Sequence, residues 1–173
     1  MFNDVLNRSR GSKKNICVPK IQYYGNASFS DGYVPLSQDR LYYYQRLSAA
    51  KNKEDVSAVQ EEVSDRYGKS GPGTENLYKI TEIRTAYTQT PVKNILIEKD
   101  RVVLTLVDTN YKTTNEKYVA NLMNALEGAG ITFTFKQLKK EGLGLDIHCD
   151  MKRGPLKTLI KNAELFYYDD NNT

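Results

Sequence analysis

Tryptophan is absent from this 173-residue chain, and the side chains that most often carry chemistry are scarce: one histidine and two cysteines. A lone imidazole, His148, excludes any metal motif built on two histidines and allows at most one hydrolytic triad. No Gly-x-Ser-x-Gly elbow is present to supply that triad's nucleophile. Cys17 and Cys149 are far apart and belong to no metal-spaced cluster, so two free thiols in a reducing cytoplasm are expected rather than a disulfide framework. No apolar run approaches the roughly 20 residues that span a bilayer, and no basic-then-apolar leader opens the chain. The expectation is a soluble, cytoplasmic protein with no membrane contact.

What is present is ordinary in bulk and unusual in detail. Hydrophobic residues make up 39% and charged residues 27%, values that support a packed core. Thirteen tyrosines favour half-buried surfaces and interfaces, where one end of the ring is wet. The formal charge of +4 is too small to indicate nucleic-acid binding by itself.

Hydrophobic periodicity places the elements. Phe2, Val5 and Leu6 have helical spacing with nothing ahead of them to cap a helix, so residues 1–14 are expected to be the last turns of a helix from a longer protein. Ile16 to Tyr24 reads as a strand held to an edge or bulge by Pro19. Ser37 is a fair N-cap for a helix with Leu41, Tyr44, Leu47 and Ser48 on one face. A second helix from Lys53 places Val56, Val59, Val63 and Tyr67 in a stripe and stops at Gly68. A third, from Thr74 to Gln89, turns Leu77, Ile80, Ile83, Ala86 and Tyr87 inward. Val92–Ile97 and Arg101–Val107 form a hairpin across Glu98-Lys99-Asp100. Glu116–Glu127 is a helix, Ile131–Phe135 and Leu143–Cys149 are strands, and Lys157–Tyr167 is a closing helix entered through Gly154-Pro155. The sum is an α+β fold: a helical N-terminal half, then a small, mostly antiparallel sheet with two further helices.

Four groups of residues are candidates for function. Gly68-Lys69-Ser70 contains the Gly-Lys-Ser of a phosphate-binding loop, but Val63 stands where that loop needs glycine and a helix precedes it. Asp146, His148 and Asp150 share one strand face and could hold a metal or exchange protons, although a solvated strand face gives the same pattern. Lys136, Lys139 and Lys140 beside Phe133 and Phe135 have the aromatic-basic interleaving of single-stranded nucleic-acid binders. Glu62, Asp65 and Arg66 form a charged band beside the valine stripe. That band is either a solvated face with a Glu62–Arg66 pair one turn apart, or a recognition surface where a partner's arginines meet the carboxylates.

The order Tyr33-Val34-Pro35, Arg40-Leu41, Tyr44, Arg46-Leu47, Ala49-Ala50-Lys51 and Glu62-Val63-Ser64-Asp65-Arg66-Tyr67-Gly68 carries a resemblance. It is similar to the C-terminal domain of the bacterial transcription-repair coupling factors, the Mfd family. There Tyr-Ile-Pro leads into Arg-Leu-x-x-Tyr-x-Arg-Leu, a Ser/Ala-Ala-Lys elbow and Glu-Leu-Ile-Asp-Arg-Phe-Gly. The match runs from about Phe29 to Leu106, continuing through Asn76-Leu77 and Ile83-Arg84. It departs at Ser64, at Lys69 to Gly73, where the family has Leu-Pro-x-Pro, and at Thr90-Pro91-Val92, where it has Leu-Gly-Ile.

The resemblance implies a domain at 29–168, with a helical part (36–90) and a sheet part (91–168). Residues 1–28 would be a linker and the end of a preceding helix, and 169–173 a tail. It implies no catalysis and no cofactor in this segment. ATP and Mg belong to the parent's motor domains, which translocate on double-stranded DNA and displace stalled RNA polymerase. The segment itself would be autoinhibitory: it would pack on the UvrB-like module of the same chain and mask the surface that UvrA binds. Glu62, Asp65 and Arg66 match the family's Glu-x-x-Asp-Arg contact.

Overall fold

A computed structural model describes residues 18–88, 90–106, 116–138, 142–149 and 154–167. The elements run β1 (Lys20–Tyr23), α1 (Ser37–Ala49), α2 (Lys53–Tyr67), α3 (Pro72–Tyr87), β2 (Val92–Ile97), β3 (Arg101–Leu106), α4 (Glu116–Gly128), β4 (Thr132–Leu138), β5 (Gly142–His148) and α5 (Pro155–Asn162), with a 3-10 turn over Ala163–Phe166. The expected α+β order is the observed one. Residues 1–17, 107–115 and 168–173 lie outside the described set, and with them the N-terminal helix, Ile16, Cys17 and the tail.

The five strands form one sheet in the order β1-β2-β3-β5-β4. Only β1 is parallel to its neighbour β2; the other pairs are antiparallel. Register aligns Ile95, Leu104, Leu145 and Phe135 in one row and Ile97, Val102, Ile147 and Phe133 in the next. The alternation of strand side chains puts both rows on one face. That face is covered by Ile83 and Tyr87 of α3, Tyr118, Leu122 and Leu126 of α4, and Leu156, Leu159, Ala163 and Phe166 at the C-terminal end.

A second core lies among α1, α2 and α3, built from Phe29, Val34, Tyr43, Leu47, Ala50, Val56, Val59, Val63 and Tyr78. α3 is the element common to both, contributing Tyr78 to one and Ile83 and Tyr87 to the other. A helix buried on two sides cannot show a single apolar stripe. This is why Thr74 and Thr81 are buried while Leu77, Ile80 and Ala86 are only partly so.

Several local expectations are corrected. Ser37 is the first helical residue of α1; Leu36 occupies the cap position and makes no side-chain cap bond. The buried residues of α1 are Tyr43 and Leu47, followed by Ala50 at its C-cap, whereas Leu41 is 58% exposed. Three consecutive tyrosines make the facing of this helix ambiguous, and packing against α2 and Phe29 selects Tyr43. Tyr44 is half-buried and its hydroxyl accepts a hydrogen bond from Phe29 N at 3.0 Å. α3 begins at Pro72 and α5 at Pro155, because proline fits a first helical turn, where its missing N–H is no loss. The closing helix changes to the 3-10 turn at Ala163.

The elbow between α1 and α2 is a compact polar stop. Asn52 Oδ1 accepts from Asp55 N at 2.8 Å, and Asp55 Oδ2 accepts from Lys51 N at 2.8 Å. One orphan donor in the first turn of α2 and one in the elbow ahead of it are thereby satisfied. At the far end Gly68 has φ +80, a left-handed conformation that glycine adopts without a Cβ clash. Tyr33 Oη donates to its carbonyl at 2.7 Å.

Candidate partner interface on the helical hairpin

Because the elbow is short, α1 and α2 run back along one another, and residues at similar chain distances from it become neighbours. The charged band is built this way. Arg46 of α1 forms an ion pair with Glu62 of α2, and Tyr43 Oη donates to the other Glu62 oxygen at 3.3 Å. Further along, Arg66 Nη2 lies 3.1 Å from Asp39 Oδ2, and Tyr67 Oη donates to the same oxygen at 2.5 Å. Arg46 also sits over the Tyr42 ring at 5.5 Å, and Arg66 over Tyr67 at 5.3 Å.

Glu62 and Arg66 therefore do not pair with each other along α2. Each turns across to α1, which corrects the one-helix reading of the band. Asp65, the third member, is exposed, and no ion pair holds it among the described residues. The sequence reading missed Asp39, Tyr42, Tyr43 and Arg46 as members of the band. The usable signal was the elbow itself, since an antiparallel hairpin matches residues roughly equidistant from the turn.

The electrostatics follow from these contacts. Hydrogen bonding to Glu62 holds the Arg46 guanidinium pKa above its ordinary value. The partly exposed Arg46–Glu62 pair is worth roughly 1 kcal/mol or less once water screens it. The hydrogen bond to Asp39, followed by partial burial, pushes the Tyr67 phenol from 10.0 up to about 12. The folded state thus keeps a proton that the unfolded chain loses. The associated stability is fully present below pH 10.0 and is lost as pH rises through about 12. Tyrosinate absorbance followed against pH should include a late step near pH 12 that Tyr67→Phe removes. A difference spectrum with no amplitude there would show that Asp39 does not hold the phenol.

α2 as a whole is acidic. It carries Glu54, Asp55, Glu61, Glu62 and Asp65 against Lys53 and Arg66, five less two, or −3, in a chain of net charge +4. Beside it, α1 and its lead-in expose Leu36, Leu41 and Tyr42, at 62%, 58% and 49%. Of these, Tyr42 adjoins the band, under the Arg46 guanidinium, and an exposed aromatic beside arginine is a pairing enriched at protein contacts.

The other candidates fall differently. Gly68 is the stop of α2, and the Ser70 hydroxyl is bonded to Glu75, as expected of a helix-stop loop. The strand face is open to solvent at Thr134, Lys136 and His148, but Asp146 itself is 3% exposed. Its Oδ2 meets Lys136 Nζ at 3.1 Å and Arg101 Nη1 at 3.7 Å, while Oδ1 has no hydrogen-bond partner. The two long cations fold over the carboxylate from the flanking strands, which is what buries it. His148 shares this face and is exposed; Asp150 lies outside the described residues. No group of three or more His, Cys, Asp or Glu suited to a metal occurs among the described residues. Phe133 and Phe135 turn to the helix-covered face, opposite Lys136, so the strand separates the aromatic and basic parts of that motif. Lys139 and Lys140 lie outside the described residues. Cys149 is a free, buried thiol, its pKa raised by that burial.

The α+β module thus presents a capped helical hairpin with a charged outer face. No helix among the described residues is long and apolar enough to cross a membrane. Residues 25–117 match the TRCF domain family, and the chain belongs to that family. Among solved structures it is similar to the crystal structure of the C-terminal domain of transcription-repair coupling factor. The TM-score is 0.66 at 14% identity, over 86% of this chain and 92% of that one, a likeness of fold. A comparison with curated protein sequences finds no match.

Proposed function

We propose that this domain is the autoinhibitory docking module of a transcription-repair coupling factor. It packs against the UvrB-like module of its own parent chain and masks the surface that UvrA binds. The parent is then an ATP-dependent translocase on double-stranded DNA that displaces stalled RNA polymerase, with ATP and Mg held by its motor domains. Family membership supports the setting. The observation that carries the docking is the hairpin's outer face, where Asp65 is exposed on an acidic helix and no ion pair holds it among the described residues.

Glu62, Asp65 and Arg66 have different parts in this reading. Asp65 is available to a basic partner as it stands. Glu62 and Arg66 exchange partners: each can release its α1 neighbour for a charged group of the docked module at little net cost. Tyr42, lying under the Arg46 guanidinium, supplies the apolar contact beside them. Tethering lets such a modest contact close the molecule, because the linked module is present at high effective concentration. A contact of this size can also open when the motor engages.

Asp65→Lys is the discriminating substitution, because Glu62→Lys would also set a lysine against Arg46 and disturb the hairpin. Calorimetric binding of this chain to the UvrB-like module should weaken by about tenfold or more. The full-length protein carrying Asp65→Lys should bind UvrA more tightly. Unchanged affinity in both measurements, with an unchanged melting temperature, would remove the hairpin from the contact.

A further inference from the structure

We propose that β4 pairs with the β4 of a second copy of this chain, joining the two sheets into one across a two-fold axis. The sheet has two edges, and they are unlike. β1 has four residues, follows Pro19 and begins with Lys20, the short, charged form that resists further pairing. β4 is seven residues long, TFTFKQL, with no proline or glycine, and it pairs with β5 without a register shift. No strand among the described residues pairs with its other side. Its backbone donors and acceptors there form a ready template for an added strand.

The side chains favour a second copy over an unrelated strand. Antiparallel pairing centred on Thr134 sets Thr134 opposite itself, Phe133 opposite Phe135 twice, and Thr132 opposite Lys136 twice. No like charges face each other in this register, and Thr–Thr and aromatic pairs are favourable across strands. Phe133 and Phe135, tilted edge-on at 5.6 Å, are only partly buried at the rim of the sheet core. A second copy would set its own pair against them and complete that layer. Lys136 is already neutralised by Asp146 at 3.1 Å, so the seam brings no uncompensated charge. An isologous, closed contact of this kind is the usual geometry of a homodimer.

Sedimentation equilibrium of the 173-residue chain tests it directly. The chain should show a reversible monomer–dimer equilibrium. Thr134 is exposed on the strand's solvent side and stands opposite Asp146, so Thr134→Lys should fold and melt normally, while Thr134→Glu should fold with a lowered melting temperature. Each places two like charges across the axis and should raise the dimer Kd by about tenfold or more. An equimolar mixture of the two variants should recover dimer, a result that loss of folding could not give. A chain that stays monomeric at every concentration would overturn the proposal. So would a dimer whose Kd neither variant moves.

Discussion

Tyr87→Ala is expected to destabilise the domain by about 3–5 kcal/mol, a large part of the roughly 5–15 kcal/mol that holds an ordinary domain together. The side chain is fully buried near the C-terminal end of α3, where that helix meets both the sheet and the C-terminal elements. Its ring lies 5.4 Å from that of Phe166, and its hydroxyl donates to the Leu159 carbonyl at 3.2 Å. Desolvation raises its pKa far above the ordinary range, so it stays a neutral donor at any pH the fold survives. Alanine leaves a cavity between layers that cannot collapse, because α3 is also pinned by the second core. Tyr87→Phe separates the terms: it keeps the ring and withdraws one donor from a buried carbonyl, for about 1 kcal/mol. Urea denaturation measures both. An alanine variant no worse than the phenylalanine one would show that the ring is not packed as the structure places it.

The same residue shows how far the sequence could be read. Tyr87 is expected inward because it continues the spacing of Ile80 and Ile83, and the β-branched runs likewise mark the hairpin strands Val92–Ile97 and Arg101–Val107. Periodicity carries such information whenever an element faces one core. It failed on α1, where Tyr42, Tyr43 and Tyr44 offer three consecutive candidates and only contact with α2 and Phe29 decides. It failed on Asp146, whose burial depends on Lys136 and Arg101 from two other strands. The candidate site was legible as residues but not as bonds. Glu62 and Arg66 stood out on one helix, while their partners Arg46 and Asp39 belong to another, and no single-helix pattern records a pairing made across an elbow.

Much of the family resemblance also turns out to lie in residues that hold the fold. Tyr33 caps the end of α2. Arg40 donates to the carbonyls of Val34 at 2.7 Å and Pro35 at 2.9 Å, fixing the extended lead-in. Leu47 and Ala50 are core. These are the positions where a divergent sequence can change least without losing the hairpin, which explains why the motif survives while the loop at Lys69 to Gly73 does not.

Arg84 belongs to this set, and Arg84→Met is expected to cost about 2 kcal/mol and lower the melting temperature by roughly 4–8 °C. From α3 its Nη2 donates to Leu47 O at 2.7 Å and Ala50 O at 3.2 Å. Both are carbonyls at the C-terminal end of α1, where a helix runs out of internal donors. The positive charge also faces the negative end of the helix dipole. Partial burial lowers the Arg84 pKa, but a guanidinium so far above neutrality stays charged. Methionine preserves the apolar stem and removes only the donors and the charge, so the loss reports the cap rather than the packing. Arg84→Lys should recover part of it, since an ammonium can bond to a carbonyl but lacks the planar fork. The consequence reaches the surface. Arg84 fixes α1 immediately before the elbow, and the elbow sets how Asp39 and Arg46 meet Arg66 and Glu62. Arg84→Met should therefore weaken docking to the UvrB-like module although it touches none of the proposed contact residues. Full-strength docking by a destabilised Arg84→Met domain would mean that the contact does not depend on the hairpin's geometry.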